Sequence, residues 1–160
     1  GGKFANGALT AAMAQLFNNE ASNIRARKKF VNPTDQGVRG CDSQGCGGYG
    51  ARREGRRHIG TDYITDPGQD VLAIADGKVD RLLSGKYDGV VVGDGQGVSY
   101  KILYLNVDDS LQVGSTVRAG QVLGTAQDIT GRYEGITNHV HVKLRVNYKV
   151  VNPEDHIDIP

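Results

Sequence analysis

The run Asn138-His139-Val140-His141-Val142-Lys143-Leu144-Arg145-Val146 decides how this chain folds. Its apolar residues alternate with polar and charged ones, which is the period of a β-strand with one face in a core. The other face carries both histidines, Lys143 and Arg145. Along a strand the two histidines lie about 6.5–7 Å apart at their Cα atoms. They are either part of a metal site or two ordinary solvent-facing histidines.

The segments that precede this run are also of β type. After His58 the sequence consists of short β-type runs broken by glycine, without helical segments between them, which favours an antiparallel sheet. Asp76-Gly77 has the sequence of a two-residue hairpin turn between the first two runs. The predicted strands cover residues 70–75, 78–83, 89–92, 98–107, 121–126 and 140–146. The sequence therefore predicts a mainly β domain with an antiparallel sheet.

The N-terminal segment has a different pattern. Apolar residues recur at helical spacing through residues 8–17, so we expect a short helical lead-in before the sheet. We assign residues 1–35 to this lead-in and residues 36–160 to one domain, because 160 residues suit a single core. The chain begins Gly-Gly-Lys without a methionine, and we expect it to be a piece of a longer protein.

Composition and charge exclude two classes of protein. No apolar run approaches 18 residues, so we expect no segment that spans a membrane. Nineteen basic residues oppose eighteen acidic ones, for a net charge of +1. A nucleic-acid-binding protein usually carries a strong basic excess. The basic cluster at residues 52–57 is either a solvated face or a contact for an anionic partner.

Cys41 and Cys46 are the only cysteines. No second pair exists to complete a four-cysteine zinc site. The short spacing favours a disulfide, which would place the protein in an oxidising compartment. The alternative is a pair of reduced thiols in a cytosolic loop.

A second pair of metal-binding residue types precedes the predicted strands. His58 and Asp62 are four residues apart, which on an ideal strand is about 13 Å at the Cα atoms. A bend at Gly60 would close that gap. Two histidines and one aspartate suit Zn²⁺ and leave a fourth position for water, as in catalytic zinc sites. We predict that His58, Asp62 and His141 bind zinc, and that His156 near the C-terminus does not.

These motifs resemble those of the LytM/lysostaphin-type zinc metallopeptidases. The likeness rests on His-x-x-x-Asp at 58–62, His-x-His at 139–141, the runs at 70–79 and 113–124, and Asn152-Pro153. It covers roughly residues 41–155. It implies an antiparallel β fold with an open groove, zinc on His58, Asp62 and His141, and cleavage of peptide cross-links in bacterial peptidoglycan. Whether D-alanyl–diaminopimelate links or glycine bridges are cut stays open.

The chain departs from this family at two positions. Active members usually have a histidine in a Tyr-x-His-Leu-like run, where this chain has Tyr104 in Ile-Leu-Tyr-Leu. They also often have an acidic residue where this chain has Lys143. A phenol can donate a hydrogen bond to an oxyanion, but with a pKa of about 10 it is a poor base. The resemblance therefore implies His139 as the general base, with Tyr104 either an oxyanion donor or an aromatic that fills the groove.

Residues 41–49 and 57–62 are also similar to the leukocyte-cell-derived chemotaxin branch of the same fold. In that branch the equivalent cysteines are disulfide-bonded, zinc is bound, and no peptidase activity is known. This likeness implies a bridge between Cys41 and Cys46. It also supports an alternative function, a zinc-containing pseudo-peptidase that binds cell-wall peptide or a protein partner.

Residues 2–20 resemble the junction that precedes C-terminal toxin domains in polymorphic secreted bacterial proteins, including the Rhs type. This likeness implies a domain that is carried by a larger secreted scaffold into the periplasm of a target bacterium. It also implies a cognate immunity protein in the producing cell. The predicted function is thus a secreted, zinc-dependent antibacterial toxin that acts on the cell wall.

Overall fold

The computed structural model describes residues 13–16 and 30–160. Of the predicted helical lead-in, residues 13–16 are helical, residues 30–35 are not, and the others lie outside the described residues. A 3-10 helix spans Pro153–Asp155. The strands are β1 (Cys41–Asp42), β2 (Gly45–Cys46), β3 (Arg52–Arg53), β4 (Arg56–Arg57), β5 (Thr61–Ile64), β6 (Asp70–Leu72), β7 (Gly77–Leu83), β8 (Gly89–Gly93), β9 (Ser99–Leu103), β10 (Leu105–Val107), β11 (Thr116–Val117), β12 (Val122–Ala126), β13 (His139–Val146) and β14 (Lys149–Val151).

The larger sheet is antiparallel, and β13 is its last strand but one. Its strands follow the order β11-β7-β8-β9-β13-β14. Along one edge β13 pairs with β9, and along the other it pairs first with β5 and then with β14. The predicted mainly β, antiparallel fold is confirmed. Because β13 has neighbours on both sides, its side chains have fixed positions on both faces of the sheet.

A second sheet, in the order β10-β12-β6, contributes to the same core. The apolar residues of β13 alternate into this core as predicted, and Val140, Val142 and Leu144 are fully buried. Phe30 of the lead-in also packs there and forms a bridge with Ile157. No helix among the described residues is long and apolar enough to cross a membrane.

The strand predicted over residues 98–107 is interrupted at Tyr104. This residue has a φ of 65°, which lies in the left-handed region that residues other than glycine rarely adopt. β9 lies before it in the larger sheet, and β10 lies after it in the smaller one. The prediction of one continuous strand was wrong. The residues on both sides of the bend are apolar, so the sequence pattern gives no sign of the change in backbone direction.

The hairpin predicted at Asp76-Gly77 was also wrong. The strands on either side of this turn lie in different sheets, since β6 pairs with β12 whereas β7 pairs with β11 and β8. The connecting residues 73–75 are buried in the core. The chain therefore crosses from one sheet to the other through the interior instead of folding back on itself.

Candidate metal centre and groove

The open face of β9 and β13 forms the bottom of a groove, which we call the floor. His141 lies opposite Leu103, and Lys143 lies opposite Lys101. His139 is one step further along β13 on the same face, as the alternation predicted. The floor is thus a regular strand pair that carries both histidines of the His-x-His motif.

The three predicted metal ligands converge at one end of the floor. His58 Nε2 lies 3.0 Å from His141 Nδ1 and 3.2 Å from Asp62 Oδ1. His141 Nδ1 lies 2.9 Å from Asp62 Oδ1. Three ligands of a tetrahedral zinc, each about 2.0–2.1 Å from the ion, are about 3.3 Å apart. Two imidazole nitrogens and a carboxylate oxygen at these separations fit zinc.

A bend at Gly60 brings His58 back over β13, as predicted. A Cβ atom at this position would lie 2.5 Å from both the His141 ring and the Val142 carbonyl oxygen. Glycine is therefore required by the close approach of the two segments. His58 Nδ1 lies 3.0 Å from the Gly48 carbonyl oxygen. Because a carbonyl only accepts, Nδ1 carries the proton, and Nε2 is left free to bind a metal.

Residues 39–57 form one side of the groove, which we call the wall. Backbone hydrogen bonds join it to β5 at the metal ligand: Arg39 N–H donates to Asp62 O over 2.7 Å, and Asp62 N–H donates to Gly47 O over 2.9 Å. The wall contains the hairpins β1-β2 and β3-β4 and the predicted disulfide between Cys41 and Cys46, which is present.

Arg39 of the wall holds the second oxygen of Asp62. Its guanidinium is buried and lies 3.0 Å from Asp62 Oδ2 through Nη2, and 2.6 Å from Asp42 Oδ2 through Nη1. Nη1 also donates to the Gly45 carbonyl oxygen over 2.9 Å. Burial alone would raise the pKa of Asp62, but the close imidazoles of His141 and His58 outweigh it and hold that pKa well below its ordinary value. Arg39 thus orients a carboxylate that stays charged.

His139 lies beside this group with one ring nitrogen free. Its Nδ1–H donates to the Thr137 carbonyl oxygen over 2.8 Å. Nε2 lies 3.6 Å from Asp62 Oδ2. Burial lowers the pKa of His139, against a smaller opposing effect of Asp62. A neutral imidazole with a fixed tautomer and a free Nε2 can accept a proton at neutral pH.

Tyr104 faces His139 across the groove. Their rings meet edge to face with centroids 5.3 Å apart, and Tyr87 packs on Tyr104 in the same way at 5.7 Å. Burial, followed by the influence of Tyr133, raises the pKa of Tyr104 further above that of an ordinary tyrosine. The phenol therefore keeps its proton, so it can donate a hydrogen bond but cannot serve as a base.

His156 lies away from the metal ligands and packs against Phe30, with ring centroids 6.1 Å apart.

Sequence reasoning missed Arg39 and Asp42. A buried carboxylate that binds a metal needs a partner for its second oxygen, but the segment before His58 contains several arginines. Nothing in their spacing distinguishes Arg39 from those at residues 52–57, of which Arg53 approaches Asp62 Oδ2 only to 3.5 Å.

Comparisons with known proteins agree with this site. The model of Peptidase family M23 matches residues 56–153. Leukocyte cell-derived chemotaxin-2 of Mus musculus is 34% identical over 112 residues, 66% of this chain and 72% of that protein. Peptidoglycan DD-endopeptidase ShyC of Vibrio cholerae is 31% identical over 106 residues, which are 66% of this chain but only 24% of that protein.

The fold also matches a crystal structure of a zinc-containing peptidase from Vibrio cholerae. The TM-score is 0.62 at 27% identity, over 83% of this chain and 41% of that one. That relative contains zinc, and the donor atoms of His58, Asp62 and His141 in this chain are placed to bind zinc. The predicted Zn²⁺ cofactor is therefore confirmed.

Proposed function

Because the chain belongs to Peptidase family M23, we propose that it is a zinc-dependent endopeptidase that cuts peptide cross-links of bacterial peptidoglycan. The observation that carries the proposal is the free Nε2 of His139 beside the group formed by His58, Asp62 and His141, in a groove open to solvent. The similarity to an endopeptidase of Vibrio cholerae supports the choice of substrate.

Each residue of the site has a separate role in the proposed reaction. Zinc held by His58, Asp62 and His141 would supply a Lewis acid that polarises the scissile carbonyl. His139 Nε2 takes a proton from the attacking water and returns it to the leaving amine, since its other nitrogen is committed to Thr137. Tyr104, which keeps its proton, donates a hydrogen bond to the oxygen that becomes negative. Arg39 keeps Asp62 oriented as a ligand.

The toxin role is part of the same proposal. A domain with a disulfide suits an oxidising destination such as the periplasm of a target bacterium. Residues 2–20 resemble the junction before a toxin domain. On this basis we propose that a larger secreted scaffold carries the domain and that a cognate immunity protein binds it. These residues lie outside the part of the chain that the structure describes, apart from 13–16.

Turbidity of purified peptidoglycan tests the activity. The zinc-loaded protein is expected to clear the suspension, and a chelator is expected to stop it until zinc is restored. Cell walls with diaminopimelate cross-links and walls with glycine bridges are both used. Absence of clearing with every wall type, at full zinc occupancy, contradicts the peptidase.

A second candidate is a zinc-containing pseudo-peptidase that binds cell-wall peptide or a protein partner. It is favoured by Tyr104, which stands where active relatives of this type usually have histidine, and by the similarity to chemotaxin-2. In that case the zinc-loaded protein would sediment with insoluble peptidoglycan and release no fragments.

A further inference from the structure

The floor has an unusual distribution of charge one step beyond the metal ligands. Lys101 of β9 and Lys143 of β13 are directly opposite each other in the register and are only half-exposed. Like charges that face each other across antiparallel strands destabilise a sheet. The net charge of the chain is only +1, so this pairing does not follow from a generally basic composition.

In the part of the chain that the structure describes, no carboxylate forms an ion pair with Lys101 or Lys143. The ion pairs of the described residues join Asp62 and Asp42 to Arg39, Arg53 and the site histidines, and none includes Lys101 or Lys143. The charged side chains that act on Lys101 are all cationic: Lys143, Arg145 and Arg81. Within the described part of the groove lining, Asp62 is the one acidic residue, and both of its oxygens are engaged.

The position of the lysines relative to the site limits what they can contact. Lys143 follows His141 by two residues on the same face, which is about 7 Å along a strand. A ligand whose scissile bond lies at the metal ligands would present its next one or two residues to the lysine pair. A cleft lined by one sign of charge also concentrates ligands of the opposite sign.

We propose that Lys101 and Lys143 form an anion subsite that selects peptides with a free carboxylate one or two residues from the scissile bond. This inference rests on the proposed function, because it takes a cell-wall peptide as the ligand. Cross-links built on diaminopimelate carry such a carboxylate, whereas an oligoglycine bridge carries no side-chain charge. The subsite therefore favours the first class of cross-link.

Binding of matched peptides tests the subsite independently of catalysis. Fluorescence anisotropy is measured on zinc-loaded protein carrying His139→Ala, which prevents turnover, with a labelled diaminopimelate cross-link peptide. A second peptide has that carboxylate converted to the carboxamide, so the shape is kept and the charge is lost. We expect the carboxylate peptide to bind at least about tenfold more tightly, with a preference that shrinks as salt is added.

Variants then assign the preference to the two lysines. Lys101→Gln and Lys143→Gln should each reduce the ratio of the two affinities, the double variant should bring it close to one, and Lys143→Glu should reverse it. Lys149→Gln, an exposed lysine outside the groove lining, should leave it unchanged. Circular dichroism confirms that each variant is folded.

The outcomes separate this inference from the proposed function. Equal affinity for both peptides, no binding of either, or a preference that survives the double variant overturns the subsite. A carboxylate preference in a wild-type protein that cleaves neither peptide supports the subsite and refutes the peptidase. Cleavage of carboxylate, carboxamide and glycine-bridged peptides at one rate supports the peptidase and overturns the subsite.

Discussion

The floor and the wall of the groove meet at Asp62, but they are built in different ways. The floor consists of long strands whose opposite face is anchored by fully buried residues such as Val140 and Val142. The wall, residues 39–57, consists of two-residue strands and contributes no residue to the hydrophobic core. It is held by the disulfide, by backbone hydrogen bonds and by the ion pairs of Arg39.

This difference separates two tasks. The floor sets the positions of the reactive side chains, and it cannot move without disturbing the core. The wall orients one ligand, Asp62, through charges and hydrogen bonds that can be removed singly while the sheet stays packed. Changes in the floor should therefore remove a metal ligand or a catalytic group outright, whereas changes in the wall should only weaken the binding of zinc.

The largest effect is expected where the floor meets the metal. His141→Ala removes one of three converging donors, and zinc should fall from about one ion per chain to almost none after dialysis. Elemental analysis of the purified protein measures this. His156→Ala, which alters a histidine packed on Phe30, is the control and should keep its zinc. Full zinc occupancy in His141→Ala would refute the ligand assignment.

The next effect concerns the other histidine of the floor. His139→Ala removes the free Nε2 but no donor of the metal group, so zinc should stay bound while peptidoglycan cleavage falls about 10²–10⁴-fold. The two measurements are made on the same preparation. Loss of zinc together with activity would mean that His139 is a ligand, and an unchanged rate would remove it from the mechanism.

Tyr104→Phe tests the residue that stands opposite His139. The substitution keeps the ring and its edge-to-face contact and removes only the hydroxyl. If the phenol stabilises the oxyanion, turnover should fall about 10²-fold with zinc content and melting temperature unchanged. A rate within about twofold of wild type would show that Tyr104 only packs, and Tyr87→Phe serves as a matched control on the neighbouring ring.

The same contrast explains what the sequence predicted. Alternation in β13 placed His139 and His141 on one face, and glycine at position 60 marked the bend that returns His58 to them. Periodicity works there because each side chain is fixed by a regular strand. The bend at Tyr104 was missed, since a run of apolar residues continues through it. Arg39 was missed because an ion pair between distant segments leaves no local pattern.

In the wall, Arg39→Gln should weaken zinc binding without removing a ligand. Asp42 would lose its cationic partner, and Asp62 Oδ2 would keep only the longer contact of Arg53 at 3.5 Å. Loss of such a supporting contact typically costs 10–100-fold in metal affinity. Competition with a chromophoric chelator measures the affinity. Arg52→Gln, an exposed arginine of the same wall, should be silent. An unchanged affinity in Arg39→Gln would mean that Arg39 does not orient Asp62, and that the histidines and Arg53 do.

The smallest effect is expected at Asp42, and it depends on pH. Burial would raise the pKa of this carboxyl, but the hydrogen bond with Arg39 and those from the Thr137 and Gln44 backbone lower it to about 2. A carboxyl whose folded pKa lies below its unfolded value stabilises the fold above the unfolded pKa of about 3.8, and this stabilisation is lost as pH falls toward 2.

Asp42→Asn should therefore be less stable than wild type at pH 7, and the difference should disappear toward pH 2. We expect about 1 kcal/mol, or about 2–4 °C in melting temperature, because the pair is only partly buried. The protein is stripped of zinc first, since acid also releases metal from its ligands. A gap that stays constant from pH 7 to pH 2 would mean that Asp42 contributes through neutral hydrogen bonds, and that the charge on Arg39 is balanced by Asp62 alone.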